Sequence, residues 1–239
     1  SEGVEATVEE NLEVVTATRW CAEELSGVDL GDKRLNARLV DTAGKLAAQP
    51  EAPINQACDD WADAKGSYRL FQNEKASVDK ILAPHQHRTQ KRMEGYPLVL
   101  AVQDTTYLDY TEHPKTKGVG PIGTPQQNMT GLVMHTTLIL TPQGLPLGLL
   151  TKEIWARDAD AEPLSDWERR KQPIEDKESY KWIKALRKTV SLTPGGVQGV
   201  TVCDREGDVY ELFVEAERLE TGLLVRAKQD RALEEADTA

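Results

Sequence analysis

LVLAVQD at residues 98–104 and GVTVCD at residues 199–204 carry most of the information about the fold of this chain. Each is a short apolar run that ends in an aspartate, Asp104 or Asp204. Such runs predict buried β-strands, and the terminal acid predicts a carboxylate placed where the strand ends. If the two strands are parallel neighbours, both carboxylates lie at one edge of the sheet and can hold a divalent cation.

An aspartate after a strand is also a common turn former or helix cap. For either run taken alone, that structural role is the simpler interpretation. The metal interpretation gains weight because two such strands occur in one chain, and because the order of the elements around them makes the strands neighbours.

The composition is typical of a globular protein and argues against non-specific binding to nucleic acid. The chain has 239 residues, of which 39% are hydrophobic, and a formal net charge of −11. This charge opposes indiscriminate binding to nucleic acid, which requires phosphate neutralisation. Residues 1–14 hold five acids and no base, however, whereas residues 15–95 hold twelve of each. A neutral segment can still present a basic face, so DNA stays open as a partner.

Cysteine usage and hydropathy restrict the compartment. The three cysteines are widely spaced and lack a CxxC pattern, which argues against a zinc site or a disulfide framework and fits a reducing cytosol. No apolar run approaches about eighteen residues, and no signal peptide is recognisable at the start of the sequence. We therefore predict a cytoplasmic protein without a membrane partner.

Residues 17–95 predict a small all-α domain, after an acidic lead-in at residues 1–16 that we expect to be disordered. Arg34 and Arg38 are four residues apart in the first predicted helix and therefore share one face. From the residues alone, that face is either solvated or a DNA contact. The predicted helices cover residues 29–50, capped by Asp29 or Asp32, residues 55–73, with Trp61 facing inward, and residues 77–95.

From residue 96 the predicted elements follow the order β–β–β–α–β–α–β. Three meandering strands followed by α–β–α–β form the ribonuclease-H-like arrangement, in which the first and fourth strands are parallel neighbours. We therefore predict an α/β fold with a ribonuclease-H-like mixed sheet over residues 96–239, preceded by the small all-α domain at residues 17–95. Asp104 and Asp204, although 100 residues apart, are then expected to be near neighbours.

Seven short motifs follow one another along the chain from Trp20 onward. They are LGDKRLNARLV, SYRLFQN, QDTTYLDYTEH, GLVMHTTLIL, DKESYKW, VCDREGDVYE and LLVRAK. Each is weak alone, but together and in this order they resemble bacterial DDE transposases of the insertion-sequence-four family, transposon-five type. The resemblance implies an enzyme that cuts out a mobile element and joins it to new DNA by two-metal phosphoryl transfer, with Mg²⁺ or Mn²⁺ as cofactor.

In this resemblance Asp104 matches the family's first catalytic, metal-binding aspartate and Asp204 the second. The family's third acid belongs to a Tyr-Arg-Glu-Lys signature on a late helix, which is not found in this sequence. The resemblance therefore implies a catalytic domain that ends before the third acid. Such a fragment is expected to bind metal weakly and to lack normal strand transfer. The acids of the last predicted helix are interpreted as solvent-facing: Glu211, Glu215 and Glu217.

The resemblance also assigns basic residues. Arg34 and Arg38 match positions of the family's DNA-binding module, and Arg226 and Lys228 match a basic pair, on the last predicted strand, that lies near the cut DNA end in relatives. It implies double-stranded DNA at terminal inverted repeats as partner, a homodimer in the full-length protein, and action at the bacterial nucleoid. For Arg226 and Lys228, plain surface charge is an equally good interpretation.

Two other functions remain open from the sequence. The chain could be a non-catalytic protein that binds transposon ends or represses a full-length relative, or a generic metal-dependent nuclease of the same fold. His135, within an apolar strand, is interpreted as a hydrogen-bonded core histidine rather than a metal ligand. The tryptophans Trp155, Trp167 and Trp182 are interpreted as packing anchors.

Overall fold

The computed structural model describes residues 16–162, 164–228 and 230. All but the last residue of the predicted acidic lead-in, residues 1–16, lies outside the described residues. The chain divides into two compact units, and the division falls between Arg88 and Thr89. Within the described ranges, no helix combines the length and the apolar character needed to cross a membrane.

The first unit is built of helices around a leucine-rich core. Leu30, Leu39 and Leu70 are fully or almost fully buried in it. Asp32 caps the second helix by accepting the amide of Arg34 at 2.8 Å, as the sequence predicted. The helices are α1 at residues 16–24, α2 (Lys33–Ala48), α3 (Ile54–Ala57), α4 (Trp61–Phe71) and α5 (Val78–Met93), which continues into the second unit.

The second predicted helix is divided into α3 and α4. Asp60 starts α4 by accepting the amide of Asp63 at 2.8 Å. Ala64 and Leu70 are buried, but Trp61 is 72% exposed, so its predicted inward orientation is wrong. Each three-residue step on an α-helix falls about 60° short of a full turn. The buried residues of α4 are Ala64, Ser67 and Leu70. Trp61, six residues before Ser67, therefore lies about 120° from the centre of this buried face.

The second unit is a mixed six-stranded sheet with helices. Its strands are β1 (Leu98–Asp109), β2 (Gly120–Ile122), β3 (Met129–Leu140), β4 (Pro146–Trp155), β5 (Gln198–Cys203) and β6 (Gly222–Val225). Its further helices are α6 (Asp166–Lys171), α7 (Tyr180–Leu192) and α8 (Tyr210–Arg218), with 3₁₀ turns at Pro125–Gln127, Ile174–Asp176 and Arg205–Gly207.

The strand order is β2–β3–β1–β5–β6, with β4 also paired to β3. β3 is antiparallel to β1, β2 and β4, whereas β1, β5 and β6 are mutually parallel where they pair. The predicted parallel adjacency of the two aspartate-bearing strands is therefore confirmed. Their ladder runs from the pair Leu98 and Gln198 to the pair Val102 and Val202.

β1 is longer than the sequence predicted. The expected end at Asp104 is wrong, because β1 stays paired with β3 as far as the pair Asp109 and Gly131. Residues 105–108, TTYL, favour extended structure, and β3 is long enough to pair with them. Asp104 therefore lies where β1 has left its partner β5 but keeps its partner β3.

One face of the sheet is covered by two apolar clusters. Val99 and Ala101 pack with Met93 and Ile139 in the first cluster. The second cluster joins α7 and α8 to β5, and its members include Trp182, Leu186, Cys203, Leu212 and Ala216. Alternation along β1 sends the half-buried Val102 to the opposite face, which is less covered.

Candidate metal and nucleic-acid sites

Asp104 lies in β1 and Asp204 directly follows β5, just beyond the last pair of the ladder that joins these two strands. The β1–β5 ladder pairs Val102 with Val202, and each aspartate is two residues farther along its chain. Neighbouring strands are about 4.8 Å apart, and residues in parallel register point to the same face. Both aspartates are exposed. Continued two residues beyond its last pair, this register would place the two acids that the sequence singled out beside each other.

Asp204 also has the structural role that the sequence left open. Its Oδ1 accepts the amide of Glu206 at 2.9 Å and caps the 3₁₀ turn Arg205–Gly207. A Cβ at Gly207 would lie 2.5 Å from the Cβ of Cys203, so this turn requires glycine. A carboxylate has two oxygens with about four acceptor sites, and one hydrogen bond leaves acceptor capacity for a cation.

Arg226 lies beside the aspartate pair. The β5–β6 ladder ends at the pair Cys203 and Val225, and the Arg226 amide donates to the Cys203 carbonyl at 3.1 Å. The residues that directly follow these two strands, Asp204 and Arg226, are therefore neighbours at the edge of the sheet where the β1–β5 ladder ends. The Arg226 side chain is exposed and follows β6 rather than lying in it, which corrects its predicted place on the last strand.

Lys228 is two residues beyond Arg226 and is likewise outside β6. Its amide donates to Asp208 Oδ2 at 2.6 Å, which anchors the backbone while the side chain stays exposed. Of the basic pair, Arg226 is therefore the residue that follows the β5–β6 ladder next to Asp204, and Lys228 is held at Asp208.

His135 is a core residue, as predicted. It is 2% exposed, and its Nδ1 and Nε2 lie 2.9 Å from Thr105 Oγ1 and 3.2 Å from Gln103 Oε1. Its ring packs edge-on against Trp182, with centroids 4.6 Å apart. Burial, and then the charge of Lys181, lower the pKa of His135 to about 4. The imidazole is therefore neutral at physiological pH. It packs against β1 at Gln103 and Thr105, the residues on either side of Asp104.

Glu215, predicted to face solvent, is buried instead. It is 7% exposed and accepts hydrogen bonds of 2.6 Å each from Arg218 Nη2 and Arg187 Nε. These two bonds lower its pKa to about 2. Glu215 therefore links α7 to α8 and is not available as a third ligand. Over the described ranges, no group of three or more His, Cys, Asp or Glu side chains could hold a metal ion.

Glu215→Gln should lower the free energy of unfolding by about 2 kcal/mol at pH 7 and by about half as much at pH 3. The folded-state pKa lies below the usual value of about 4.3. The carboxylate therefore contributes stability above that value and loses it as the pH falls toward 2. Urea unfolding followed by circular dichroism measures this difference. Glu217→Gln, an exposed change on the same helix, is the control, and a pH-independent loss in Glu215→Gln would contradict the prediction.

In the helical unit, Arg38 lies in the contact between α2 and α4. Its Nη1 pairs with Asp41 at 3.4 Å and with Asp63, and a Cβ at Gly66 would lie 3.0 Å from its Cζ. Asp63 also accepts Lys45 Nζ at 2.6 Å. Arg38 is therefore a packing residue as well as a partly exposed cation, and its predicted DNA contact stays a prediction.

Arg34 is exposed one turn earlier on α2. Its backbone amide is used in the Asp32 cap. Across the described ranges, its guanidinium has no acidic partner. It therefore offers positive charge that is not already neutralised within the unit, and it can bind a phosphate without breaking an internal ion pair.

A second set of exposed cations, on α4, was missed in the sequence. Lys65 and Arg69 are exposed and four residues apart. They lie beside Tyr68, which is 40% exposed, and Trp61. Cations interleaved with aromatic rings are typical of nucleic-acid surfaces. The spacing of Lys65 and Arg69 is visible in the sequence. The surface they form with the aromatic rings was missed because Trp61 was predicted to face the core.

Residues 17–76 match a family described as transposase DNA-binding. This range covers α2, α3 and α4 and contains Arg34 and Arg38. The match supports a transposase, and it supports DNA as the partner of this chain. The finer assignments, to the insertion-sequence-four family, to a ribonuclease-H-like sheet and to a DDE metal site, stay predictions.

Proposed function

We propose that this chain is part of a DNA transposase of the DDE type, which acts at the ends of a mobile element. In this proposal the helical unit binds double-stranded DNA at terminal inverted repeats. The sheet unit, of the ribonuclease-H-like class, supplies the carboxylates for DNA hydrolysis and strand transfer. The observation that carries the proposal is the parallel pairing of the strands that lead to Asp104 and Asp204, in a chain with a transposase DNA-binding match.

The two carboxylates have the donor chemistry for Mg²⁺ or Mn²⁺. Hard divalent cations prefer carboxylate oxygens, and Mg²⁺ typically uses one or two of them together with waters and phosphate oxygens. When bound, such an ion supplies Lewis-acid stabilisation of the attacked phosphate. Both acids are exposed, so a DNA phosphate can approach them, and Asp204 is oriented by its bond to the Glu206 amide.

Basic residues near the acids fit the same proposal. Arg226, at the level of Asp204, would bind a phosphate next to the reacting one and orient the DNA end. Lys228 would extend this contact along the strand. Full-length relatives acting at two ends would assemble as a homodimer, and such an enzyme would work at the nucleoid in the bacterial cytoplasm.

Arg34→Ala should weaken binding to duplex DNA about tenfold at 100 mM salt and reduce the slope of log K against log salt by about one. The reason is that Arg34 is an exposed cation without an internal partner. A suitable probe is a fluorescein-labelled 40-base-pair duplex, selected from a randomised library by several rounds of binding to the 239-residue chain, with anisotropy as readout.

Arg19→Ala is the matched control, because Arg19 is an exposed arginine of the same unit that already pairs with Glu23. We expect a change below about twofold. Arg38→Ala should weaken DNA binding and also lower the unfolding midpoint, since Arg38 packs against α4. Failure of the library to yield any enriched duplex would overturn the DNA-end proposal.

A non-catalytic end-binding protein or repressor is the second candidate. It is favoured by the lack of a three-acid cluster among the described residues. This candidate predicts sequence-selective DNA binding with no dependence on Mn²⁺ or on Asp104. A generic nuclease would instead cleave in the presence of Mn²⁺ with no enriched duplex. The selection therefore separates the nuclease from the other two functions, and the dependence on Mn²⁺ and on Asp104 separates those two from each other.

A further inference from the structure

Five side chains form an ionic network at the carboxyl edge of the sheet. Arg157 donates to both carboxylate oxygens of Glu178, at 2.6 and 2.8 Å, and to Tyr107 Oη at 3.2 Å. Lys181 Nζ lies 3.7 Å from Glu178 Oε1 and 3.7 Å from Glu206 Oε2. The network therefore joins β1, the segment after β4, the start of α7 and the turn after β5.

Lys181 is the unusual member of the network. It is 7% exposed, and lysine is rarely so buried unless it is paired. Both of its acidic neighbours are beyond ordinary hydrogen-bond distance, and Glu178 is already held by the fork of Arg157. Burying an ammonium group costs free energy that such long contacts offset poorly. Stability alone therefore gives no reason for a lysine at this position.

The location of the network relative to the acids supplies a reason. Tyr107 lies three residues after Asp104 on β1, and Glu206 lies two residues after Asp204. Glu206 also donates its amide to Asp204 Oδ1. The network thus contacts both of the segments that carry the candidate metal ligands.

The strands themselves do not hold the two acids together. The β1–β5 ladder ends at Val102 and Val202, so Asp104 and Asp204 lie beyond its last pair. In the part of the chain that the structure describes, Asp104 is held through β3, and Asp204 through its own turn and the bond from Arg226 to Cys203. Metal coordination distances tolerate deviations of about 0.2 Å, so the two segments need a further connection.

We propose that Lys181 is a positioning residue, which through Glu206 and Glu178 fixes the carboxylates of Asp104 and Asp204 relative to each other for divalent metal binding. The inference rests on the proposed function, because it assigns Lys181 a role toward the metal site proposed there. Lys181 contacts neither the metal nor the DNA in this role. It acts through the turn after Asp204 and through the link from Arg157 to β1.

Lys181→Met in the 239-residue chain tests the inference. We expect Mn²⁺ to bind about three- to tenfold more weakly, measured from free Mn²⁺ by electron paramagnetic resonance, with the urea midpoint unchanged or raised. Replacing a buried charge by an apolar chain of similar size is often neutral or stabilising. Removing a positive charge near a cation site would by itself tighten binding. Weaker binding at unchanged stability therefore reports positioning and neither charge nor folding.

Lys184→Met is the matched control, because it removes the same charge from the same helix at a side chain that is 47% exposed and pairs with Glu153. We expect its Mn²⁺ affinity within twofold of the wild type. If Lys181→Met does not fold, Arg157→Gln replaces it, with the same expected weakening.

The outcomes separate the inference from the proposed function. Unchanged or tighter Mn²⁺ binding in Lys181→Met, or in Arg157→Gln where that variant replaces it, would overturn the positioning role while leaving the metal site intact. A wild-type chain that binds no Mn²⁺, or that binds it equally well after Asp104→Asn and Asp204→Asn together, would overturn both.

Discussion

Asp104→Asn and Asp204→Asn are each expected to weaken Mn²⁺ binding about thirtyfold or more. Each change removes one unit of charge and the better donor oxygens from a site whose ligands are carboxylates. The two acids lie just beyond the last pair of the ladder that joins their strands, so they repel each other in the absence of a cation. Either variant should therefore keep or slightly raise the urea midpoint of the metal-free chain. Isothermal titration with Mn²⁺ at pH 7 measures the affinity.

Asp109→Asn provides the control on the same strand. Asp109 is also exposed at the surface of β1, but its Oδ1 accepts the amide of Thr111 at 2.8 Å, five residues away from Asp104. Its Mn²⁺ affinity should stay within twofold of the wild type. An equal loss in Asp109→Asn would show that the binding reflects general negative charge. Full affinity in the Asp104 and Asp204 double variant would exclude the site.

The parallel pairing of the two strands that lead to Asp104 and Asp204 was predictable because it depends on local patterns and on one topological rule. Each apolar run marks its own strand, and the order of elements makes the strands parallel neighbours. The extension of β1 beyond Asp104 was not predictable in the same way. It depends on β3, whose pairing with residues 105–109 is a long-range property of the sheet.

The network around Lys181 could not be found from the sequence. Its members lie in four separate segments between Tyr107 and Glu206, and nothing in their spacing distinguishes them from other surface charges. Glu215 is a similar case, because its burial depends on arginines of two different helices. Charged residues are assigned to a solvent face by default, and only tertiary packing shows which of them are buried.

The tryptophans also divide into buried and exposed side chains that the sequence does not distinguish, and here the difference in stability is larger. Trp182→Ala is expected to lower the free energy of unfolding by about 3–5 kcal/mol. Trp182 is 1% exposed, packs edge-on against His135, and has its ring 3.5 Å from the place of a Cβ on Gly207. Removing the indole leaves a cavity between β3 and the turn after Asp204. Urea unfolding followed by circular dichroism measures the loss.

Trp167→Ala is the control that the sequence alone would not have chosen, since both tryptophans were interpreted as packing anchors. Trp167 is 65% exposed, with Lys171 Nζ 3.7 Å from its ring centroid, so its predicted packing role is wrong. An exposed cation–π contact contributes about 0.5–1 kcal/mol, and the variant should lose no more than that. Trp182 packs against the turn after Asp204 and against His135, whose ring nitrogens contact Gln103 and Thr105 on either side of Asp104. Trp182→Ala should therefore also weaken Mn²⁺ binding under folding conditions, whereas Trp167→Ala should not. Equal losses of stability in the two variants would contradict the assignment of Trp182 as the support of this edge of the sheet.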